Sequence, residues 1–376
     1  MKRKILIATT TRADWGLLSP LARELGSRDD CEVKIMASNM HLDPRRGNTI
    51  DEILADGFQP IVAPMDPCAP APTALGQIIQ VSAEVMEIVK PDILVALGDR
   101  FEMLGIVSAA ALLRIPVVHI AGGIVTVGAM DDGFRHAITK LSAMHLTETE
   151  RYRQRVIQLG EEPERVINTG AIGVLSAGGK APMSREELEK DLDWEFGDKA
   201  LLVTIHPETL SPLPAAKLAE ETLKAIDRFP DSQLLITYPN NDPEGDVIIR
   251  AIEEFAAGRP NVKLVPSLGR KRYHSALHCV KAVVGNSSSG IVEVPSWKIP
   301  TVNIGLRQEG RIAAESVINC PAEAGAIADA IEKALKMDCS GVQNPYSQPD
   351  TLRKMADAIA LTPLEELRKP KRFYDL

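Results

Sequence analysis

Several charged side chains stand directly after short apolar runs of the sequence, where they could take part in chemistry. Arg12 follows KILIATTT, and its planar guanidinium suits a diphosphate. Asp99 and Glu102 follow ILVALG, and a carboxylate at such a place can serve as an acid, a base or a stabiliser of a cation. A surface arginine and a helix N-cap are the alternatives, so the interpretation depends on the wider pattern.

The segment VVGNSSSGIVEVPS, residues 283–296, predicts a strand, a turn and the start of a helix. Backbone N–H groups at such a turn, among small side chains and hydroxyls, can bind a phosphate. The turn residues are Ser287, Ser288, Ser289 and Gly290. Glu293, one helical turn further on, could accept hydrogen bonds from ribose hydroxyls. Ordinary serine capping and an exposed helix glutamate are the alternatives, and we favour the phosphate site.

Two more segments carry groups that could exchange protons. His206 follows ALLVTI and could donate to a phosphate or exchange protons near neutral pH, with a polar loop residue as the alternative. The loop HIAGGIVTVGAMDDGFRH, residues 119–136, contains Asp131 and Asp132, which could serve chemistry, cap the following helix, or do both. The remaining histidines of note are expected to have structural, packing or surface roles: His145, His274 and His278.

The composition narrows the class of protein. The 376 residues, 45% hydrophobic and 25% charged, are enough for two ordinary domain cores. A net charge of -8 gives no general reason to bind nucleic acid or an anionic membrane. Five scattered cysteines without CxxC spacing predict neither disulfides nor a zinc site and fit a reducing cytoplasm. The P-loop, hydrolase-elbow, zincin and GxGxxG signatures are absent, so nicotinamide chemistry is disfavoured.

The elements that must position these residues alternate between short apolar runs and amphipathic segments. KILIAT, CEVKIMAS, PDILVALGD and IPVVHIAGG are apolar on successive residues, as in parallel strands buried on both faces. The rhythm restarts with ALLVTIHPE, SQLLITYPN, VKLVPSLG, KAVVGNSSSG and TVNIG. This pattern predicts two α/β domains with doubly wound sheets, whose ligands bind beyond the carboxyl ends of the strands. We expect domains at 1–175 and 176–355, with a tail, 356–376, that packs back on the first domain.

An ordered set of motifs extends over essentially the whole chain: TRADWGLL, ALGDRFEML, GAMDDGFRHAITKLSAMH, TIHPE, YPNNDP, GNSSSGIVEVPSWKIPTVNIG and RQEGR. The set resembles the hydrolysing UDP-N-acetylglucosamine 2-epimerases of bacterial sialic acid synthesis, whose close relatives act on GDP-linked diacetamido sugars. The resemblance implies a GT-B type fold, in which two Rossmann-like domains face a central cleft, the first with the catalytic groups and the second with the nucleotide. It also implies a cytoplasmic homodimer or homotetramer without metal or redox cofactor.

The resemblance implies a reaction in two steps. The sugar nucleotide loses its diphosphate by elimination across C1 and C2, which gives a 2-acetamidoglycal, and water then adds to release N-acetylmannosamine beside UDP. Such a reaction needs donors for the diphosphate, an anion near the cationic ring, and acid–base groups. The implied catalytic residues are Asp99, Asp131 and His206. The implied nucleotide and diphosphate ligands are Arg12, His206, Ser287, Ser288, Ser289, Gly290 and Glu293. Weaker candidates are Glu102, Asp132, His136, Arg307 and Arg311.

One position departs from the family. Members usually read HxxGGE, with the glutamate regarded as a catalytic acid–base, whereas this chain has Ile124 there. Isoleucine cannot transfer a proton, and an apolar neighbour raises the pKa of a carboxyl such as Asp131 by desolvation, which makes it a better acid. The lost role could pass to Asp131, Asp132 or Glu102.

Three interpretations of Ile124 compete. We favour a retained 2-epimerase that takes UDP-N-acetylglucosamine, with a GDP-linked diacetamido sugar as the alternative substrate. In the second, only elimination survives, and the protein is a sugar-nucleotide hydrolase or lyase. In the third, it binds a nucleotide sugar without catalysis. A glycosyltransferase is the fold-level alternative, although no acceptor site is identifiable. In each case the expected partner is a UDP- or GDP-linked sugar, and neither nucleic acid nor a membrane.

Overall fold

The computed structural model describes residues 2–43, 49–66, 68–127, 129–175, 182–208, 211–240 and 244–376. The chain divides into two compact units. Unit 1 contains Met1–Ile124, Asp131–Leu175 and Gln348–Leu376, and unit 2 contains Val125–Met130 and Ser176–Ser347.

Two segments lie in a different unit from the one that the sequence predicted. Residues 348–355 belong to unit 1 rather than to the second domain, because the helix Thr351–Leu361 packs against the first helix of unit 1. Val125–Met130 belongs to unit 2, where the Val127 N–H donates to the Glu309 carbonyl at 3.2 Å. Both contacts join residues that are far apart in sequence, so no local pattern announces them.

Unit 1 is built on a sheet of seven parallel strands in the order β3-β2-β1-β4-β5-β6-β7. The strands are β1 Arg3–Thr9, β2 Cys31–Ser38, β3 Pro60–Ala63, β4 Ile93–Leu97, β5 Val117–Ile120, β6 Met144–Thr147 and β7 Val166–Asn168. The first helices are α1 Arg12–Gly26, α2 Ile50–Ala55, α3 Ala71–Val89, α4 Phe101–Leu112, α5 Asp131–Leu141 and α6 Glu150–Gln158. β4 is buried along its whole length, as the unbroken apolar run ILVAL predicts.

Unit 2 has six parallel strands in the order β10-β9-β8-β11-β12-β13. The strands are β8 Leu201–Thr204, β9 Leu234–Thr237, β10 Val262–Val265, β11 Ala282–Gly285, β12 Thr301–Ile304 and β13 Val317–Cys320. The helices are α7 Arg185–Leu192, α8 Ala215–Ile226, α9 Gly245–Ala256, α10 Gly269–Ala276, α11 Ser288–Val292 and α12 Ala324–Lys336. Apolar side chains form one core under α8, α9 and α12 and another under α7 and α10.

The chain then returns to unit 1 with α13 Thr351–Leu361 and α14 Leu364–Arg368. The residues after α14 pack on the same unit, where the Tyr374 N–H donates to the Gly160 carbonyl at 3.1 Å. The Phe373 ring covers Gly160 so closely that a Cβ there would overlap it. Within the described ranges, no helix is both long and apolar enough to cross a membrane.

A buried carboxylate ties this tail to the rest of unit 1. Glu161 is 1% exposed and accepts hydrogen bonds from Lys140 Nζ at 2.6 Å, Lys371 Nζ at 2.8 Å and His145 Nε2 at 2.9 Å. Burial alone would raise the pKa of Glu161, but the hydrogen bonds from His145 and the two lysines outweigh burial and lower it to about 2. Glu161 is therefore an anion over the whole physiological range, and it joins the tail to β6 and α5.

Candidate active site

In each sheet the strand order reverses at one place, between β1 and β4 in unit 1 and between β8 and β11 in unit 2. Ligands of doubly wound sheets bind beyond the carboxyl ends of the strands at such a place. Arg12 follows β1 and Asp99 follows β4, whereas His206 follows β8 and Ser287 follows β11. Each unit therefore carries predicted site residues at the edge where sheets of this kind bind ligands.

Arg12 is the first residue of α1, and Asp14 holds the turn before it. One carboxylate oxygen of Asp14 accepts from the Thr10 N–H at 3.1 Å, the Thr10 hydroxyl at 2.8 Å and the Thr11 N–H at 3.0 Å. The Thr11 hydroxyl accepts from the Asp14 N–H at 3.2 Å, which completes a capping box. Burial lowers the pKa of Arg12 and Glu52 opposes this, but an arginine stays charged at neutral pH. Arg12 thus supplies a positive charge beyond β1.

A buried guanidinium organises the groups beyond β4. The Arg135 side chain is 1% exposed, and its Nε and Nη2 donate to Asp99 Oδ2, the former at 3.1 Å. Its Nη1 donates to Asp132 Oδ1 and to the Ile124 carbonyl, both at 2.9 Å. Burial opposes the charge on Arg135, but Asp99 and Asp132 outweigh burial and raise its pKa. Arg135 therefore brings two of the predicted carboxylates and the Ile124 backbone together.

The two predicted aspartates, Asp131 and Asp132, begin α5, where negative charge stabilises a helix. Asp132 Oδ2 lies 3.4 Å from Nε2 of His136, one turn further along the helix. Burial lowers the pKa of His136 and Asp132 opposes this, so His136 is mostly neutral at pH 7. Its Nδ1 is buried and has no hydrogen-bond partner among the described residues. Capping and chemistry, the two roles considered for these aspartates, both stay predictions.

The backbone around Ile124 is fixed by groups other than its own side chain. Gly123 has a φ of +80°, and a Cβ there would overlap the Tyr152 carbonyl, so this position requires glycine. Arg155 Nη1 donates to the Gly123 carbonyl at 2.7 Å, and Arg135 binds the next carbonyl, that of Ile124. The Ile124 side chain is 4% exposed and adds only apolar contact. The loop conformation therefore does not depend on an acidic residue at position 124.

Glu102 does not fit the acid–base role left open for it. Its side chain is 1% exposed, and its two oxygens accept from Arg100 Nε and Nη2, each at 3.2 Å. Asn39 Nδ2 also donates to Glu102 Oε1. These bonds join the β4–α4 turn to the residues after β2, and a carboxylate enclosed in this way holds a loop in place rather than transferring protons to a ligand.

His119 in β5 is a contact of the site that the sequence did not reveal. It is fully buried, its Nε2–H donates to the Gly98 carbonyl at 2.8 Å, and its Nδ1 accepts from the Thr139 hydroxyl at 3.1 Å. We assign this tautomer because a carbonyl only accepts. Burial lowers the pKa of His119 to about 3, so the ring is neutral. His119 thereby fixes Gly98, the residue before Asp99. Its position in the HxxGG segment is the sequence feature that could have indicated this role.

In unit 2, His206 lies in the loop after β8 and carries its proton on Nε2. Its Nδ1 accepts from the Asn240 N–H at 3.1 Å, which fixes the tautomer. Burial lowers the pKa of His206 to about 3, and the Arg307 charge acts in the same direction. A neutral N–H donor suits a phosphate better than it suits the proton exchange that was also considered.

Asn286, at the end of β11, joins two loops of unit 2 and was not predicted. Its side chain exchanges two hydrogen bonds with the His206 backbone, from Nδ2 to the carbonyl at 2.9 Å and from the His206 N–H to Oδ1 at 2.7 Å. Its own carbonyl accepts from Arg307 Nη1 at 3.2 Å and Gln308 Nε2 at 2.9 Å. Asn286 therefore holds His206 and Arg307 next to the serine turn, residues 287–290.

The serine turn itself is compact. Ser287 is the N-cap of α11, and its Oγ lies 3.1 Å from Ser289 Oγ. A Cβ on Gly290 would lie 2.7 Å from the Thr301 side chain, so this residue must be small. Three predicted phosphate ligands, Ser287, Ser288 and Ser289, thus stand in one short segment beyond β11.

Side chains from neighbouring segments surround this turn. The Tyr273 hydroxyl lies 2.7 Å from Ser289 Oγ, and His274 Nε2 donates to Glu293 Oε2 at 3.3 Å. Arg311 Nε is buried without a hydrogen-bond partner in the described part of the chain. Among the described residues, no three His, Cys, Asp or Glu side chains are grouped so that they could hold a metal ion.

The predicted residues thus fall into two groups, each within its own unit. Unit 1 contains Arg12, Asp99, Glu102, Asp131, Asp132 and His136. Unit 2 contains His206, Ser287, Ser288, Ser289, Gly290, Glu293, Arg307 and Arg311. The contacts that hold these groups come mostly from residues that the sequence did not single out for the site, namely Arg135, His119, Asn286, Tyr273 and His274.

Comparison with known proteins finds matches along nearly the whole chain. A family model described as UDP-N-acetylglucosamine 2-epimerase matches residues 23–360. A GDP/UDP-N,N'-diacetylbacillosamine 2-epimerase (hydrolyzing) from Campylobacter jejuni is 36% identical over 324 residues, which cover 85% of this chain and 84% of that protein. The polysialic acid biosynthesis protein P7 of Escherichia coli is 33% identical and covers 100% of this chain and 98% of that protein.

A solved structure shows the same fold. The UDP-GlcNAc 2-epimerase of Neisseria meningitidis, bound to UDP-GlcNAc, has a TM-score of 0.79 to this chain. The similarity covers 95% of this chain and 99% of that one at 18% sequence identity. It confirms the predicted fold class, with two Rossmann-like parallel sheets.

Proposed function

This chain belongs to the UDP-N-acetylglucosamine 2-epimerase family, and on that premise we propose that it is a hydrolysing nucleotide-sugar 2-epimerase. In the proposed reaction the C1–O bond to the diphosphate breaks and C2 loses its proton, which gives a 2-acetamidoglycal. Water then adds to C1, and a proton adds to the opposite face of C2, which releases the free 2-epimer. The Campylobacter jejuni relative, named as a hydrolysing 2-epimerase, supports this choice.

The observation that carries the proposal is the carboxylate held by Arg135 beyond β4. Elimination of the diphosphate develops positive charge on the sugar ring, and a carboxylate fixed beforehand stabilises that charge without reorganising. Two hydrogen bonds from Arg135 orient Asp99, whose side chain is still 26% exposed and hence accessible to a ligand. We assign Asp99 to the ring cation and Asp131 to proton transfer at C2, in keeping with the positions that these residues match in the family.

The nucleotide is assigned to unit 2. The neutral Nε2–H of His206, the Ser287–Gly290 turn and Arg311 Nε offer donors for a diphosphate, and Glu293 offers acceptors for ribose hydroxyls. Donors that already face a leaving group favour its departure, because they stabilise the charge that it gains as the bond breaks.

Two observations favour a diacetamido sugar over N-acetylglucosamine, the substrate that the sequence placed first. The Campylobacter jejuni relative is named for N,N'-diacetylbacillosamine linked to GDP or UDP. That sugar has a methyl group at C6 and an acetamido group at C4, so it is less polar than N-acetylglucosamine. Arg135 binds the Ile124 carbonyl, and the buried apolar side chain of this residue, in place of the glutamate usual in the family, is consistent with a less polar ligand.

Proton NMR in D₂O tests the proposal directly. The protein is incubated with UDP-N-acetylglucosamine and, separately, with UDP- and GDP-linked N,N'-diacetylbacillosamine. We expect release of the nucleoside diphosphate together with a free 2-epimer that carries deuterium at C2, fastest with a diacetamido sugar. Asp99→Asn serves as the catalytic control and should still be stabilised against heat by the nucleotide.

Other outcomes would replace the proposal. Release of the diphosphate with an uninverted, protonated sugar would identify a hydrolase, and accumulation of the glycal would identify a lyase that has lost hydration. Stabilisation by the nucleotide without any turnover would identify a binding protein, in line with the loss of an acid–base group at Ile124, which typically costs about 10²–10⁴ in rate.

A further inference from the structure

Two successive residues of α10 each bind one side chain: Tyr273 contacts the serine turn, and His274 contacts Glu293, which follows α11. The Tyr273 hydroxyl lies 2.7 Å from Ser289 Oγ, and His274 Nε2 donates to Glu293 Oε2 at 3.3 Å. Ser289 and Glu293 are four residues apart, so they lie on the same side of α11. One short helix therefore sets the orientation of two side chains that unit 2 is proposed to use for its ligand.

The contact with Ser289 continues to Ser287. Ser289 Oγ lies 3.1 Å from Ser287 Oγ, so three hydroxyls form a chain from Tyr273 to the turn. Burial raises the pKa of Tyr273, so its phenol keeps its proton and can donate to Ser289. Ser289 then donates to Ser287, which leaves the Ser287 proton to be given to an anion. In this arrangement Ser289 accepts from Tyr273 and donates to Ser287, and the chain ends at the place proposed for the diphosphate.

The contact with Glu293 is enclosed by aromatic rings. His274 is 3% exposed, and its ring centroid lies 5.2 Å from that of Trp297 and 6.0 Å from that of Tyr273. This packing limits the His274 ring to one orientation, in which Nε2–H meets Oε2 of Glu293. The hydrogen bond to Oε2 thereby also orients the other carboxylate oxygen of Glu293, although His274 itself does not reach the serine turn.

We propose that Tyr273 and His274 are positioning residues of the nucleotide site, with Tyr273 aligning the serine hydroxyls for the diphosphate and His274 aligning Glu293 for the ribose hydroxyls. The inference rests on the proposed nucleotide-sugar function and deepens it, because it separates the residues that select the diphosphate from those that select the ribose. Neither residue is proposed to touch the ligand.

Calorimetric titration with two nucleotides tests the inference. UDP and 2′,3′-dideoxy-UDP share the diphosphate, but only UDP has the ribose hydroxyls. Tyr273→Phe removes one hydroxyl, and we expect it to weaken both ligands about 3- to 10-fold. His274→Leu removes the donor to Glu293, and we expect it to weaken UDP by a similar factor and dideoxy-UDP not at all. A residue that merely supports the fold would affect both ligands alike in both variants.

Two further variants serve as controls. His274→Gln keeps a side-chain N–H donor and should restore discrimination between the two nucleotides, which also guards against a failure of His274→Leu to fold. Tyr238→Phe removes a tyrosine hydroxyl that donates to Glu253 at 2.7 Å elsewhere in unit 2, and it should leave both affinities unchanged. GDP and its dideoxy analogue replace the uridine nucleotides if the wild type prefers guanine.

The outcomes separate this inference from the function on which it rests. Equal affinities in the wild type, Tyr273→Phe and His274→Leu would overturn the inference and leave the proposed function standing. A wild type that binds neither UDP nor GDP would overturn the proposed function and the inference together.

Discussion

The ionised carboxylate of Glu161 stabilises the folded protein by an amount that follows from its pKa. Its pKa falls from 4.5 to about 2 in the folded protein because His145, Lys140 and Lys371 donate to it. The fall from 4.5 to about 2 corresponds to about 3 kcal/mol of stability at neutral pH. Glu161→Gln has nearly the same shape but no charge, so we expect it to lower the free energy of unfolding at pH 7 by about 3 kcal/mol.

The stability that Glu161 contributes decreases in acid. A depressed folded-state pKa stabilises the protein at pH values above the unfolded pKa of 4.5, and this stability is lost as the pH falls through about 2. Urea titrations of the wild type and Glu161→Gln from pH 7 to pH 3 should therefore differ by a constant amount down to about pH 5. The difference should then shrink, to roughly half near pH 3.2.

Glu162→Gln is the matched control, since this neighbouring carboxylate binds Arg165 at 2.9 Å and is more exposed than Glu161. A more exposed pair of this kind should contribute at most about 1 kcal/mol. Equal effects of the two substitutions at pH 7, or a difference for Glu161→Gln that does not shrink in acid, would show that the buried ion cluster is not what lowers the pKa.

Three further predictions concern the site and the packing around it. Arg135→Lys keeps a charge but loses the planar fork that binds two carboxylates and a carbonyl, so urea titration should show a loss of about 2–4 kcal/mol, and an unchanged midpoint would contradict the role of Arg135. His206→Gln keeps an N–H donor and should lower kcat/KM only ~10-fold at pH 7. The pKa of His206 is about 3, so its ring does not titrate between pH 6 and 7. The substitution should therefore leave the pH dependence of kcat/KM in this range unchanged. Loss of a pH-dependent change there would show that His206 exchanges protons. Gly105→Ala places a Cβ 2.5 Å from Ile78 Cγ2 and should cost about 1–3 kcal/mol, whereas Gly76→Ala in open space should stabilise by ~0.5–1 kcal/mol, and equal urea midpoints would refute the difference.

The fold class was predictable because its signal is local. The run ILVAL is apolar on successive residues, and it forms β4, which is buried throughout. The residue after a parallel strand necessarily lies at the carboxyl edge of the sheet, so the placement of Asp99 and Ser287 followed from the strand pattern alone. The assignment of 348–355 to the second domain failed, because only packing against α1 decides to which unit α13 belongs.

The contacts within the site were less accessible. Asp99 and Arg135 are 36 residues apart and meet only when α5 packs against α4 and β5, so no spacing rule reveals the pair. His274 was expected to be a packing or surface residue, and a helical position does not disclose which loop it faces. It is buried and bound to Glu293. Ionisation states were equally hidden, because the neutral form of His206 depends on burial and on the Asn240 N–H.

Because the chain returns to unit 1 after unit 2, unit 1 is completed last during synthesis. Residues 1–175 leave the ribosome before residues 348–376 exist, so the nascent unit 1 lacks α13 and Lys371 while unit 2 is being made. During that time the surface that α13 later covers is open, and Glu161 has fewer cations around it. The described strands and helices of unit 2 all lie within 176–347, so unit 2 needs none of residues 348–376 for its sheet. The final residues thus complete the domain that was begun earliest, and a chain that stops near residue 347 would carry a finished unit 2 beside a unit 1 open to proteases and aggregation.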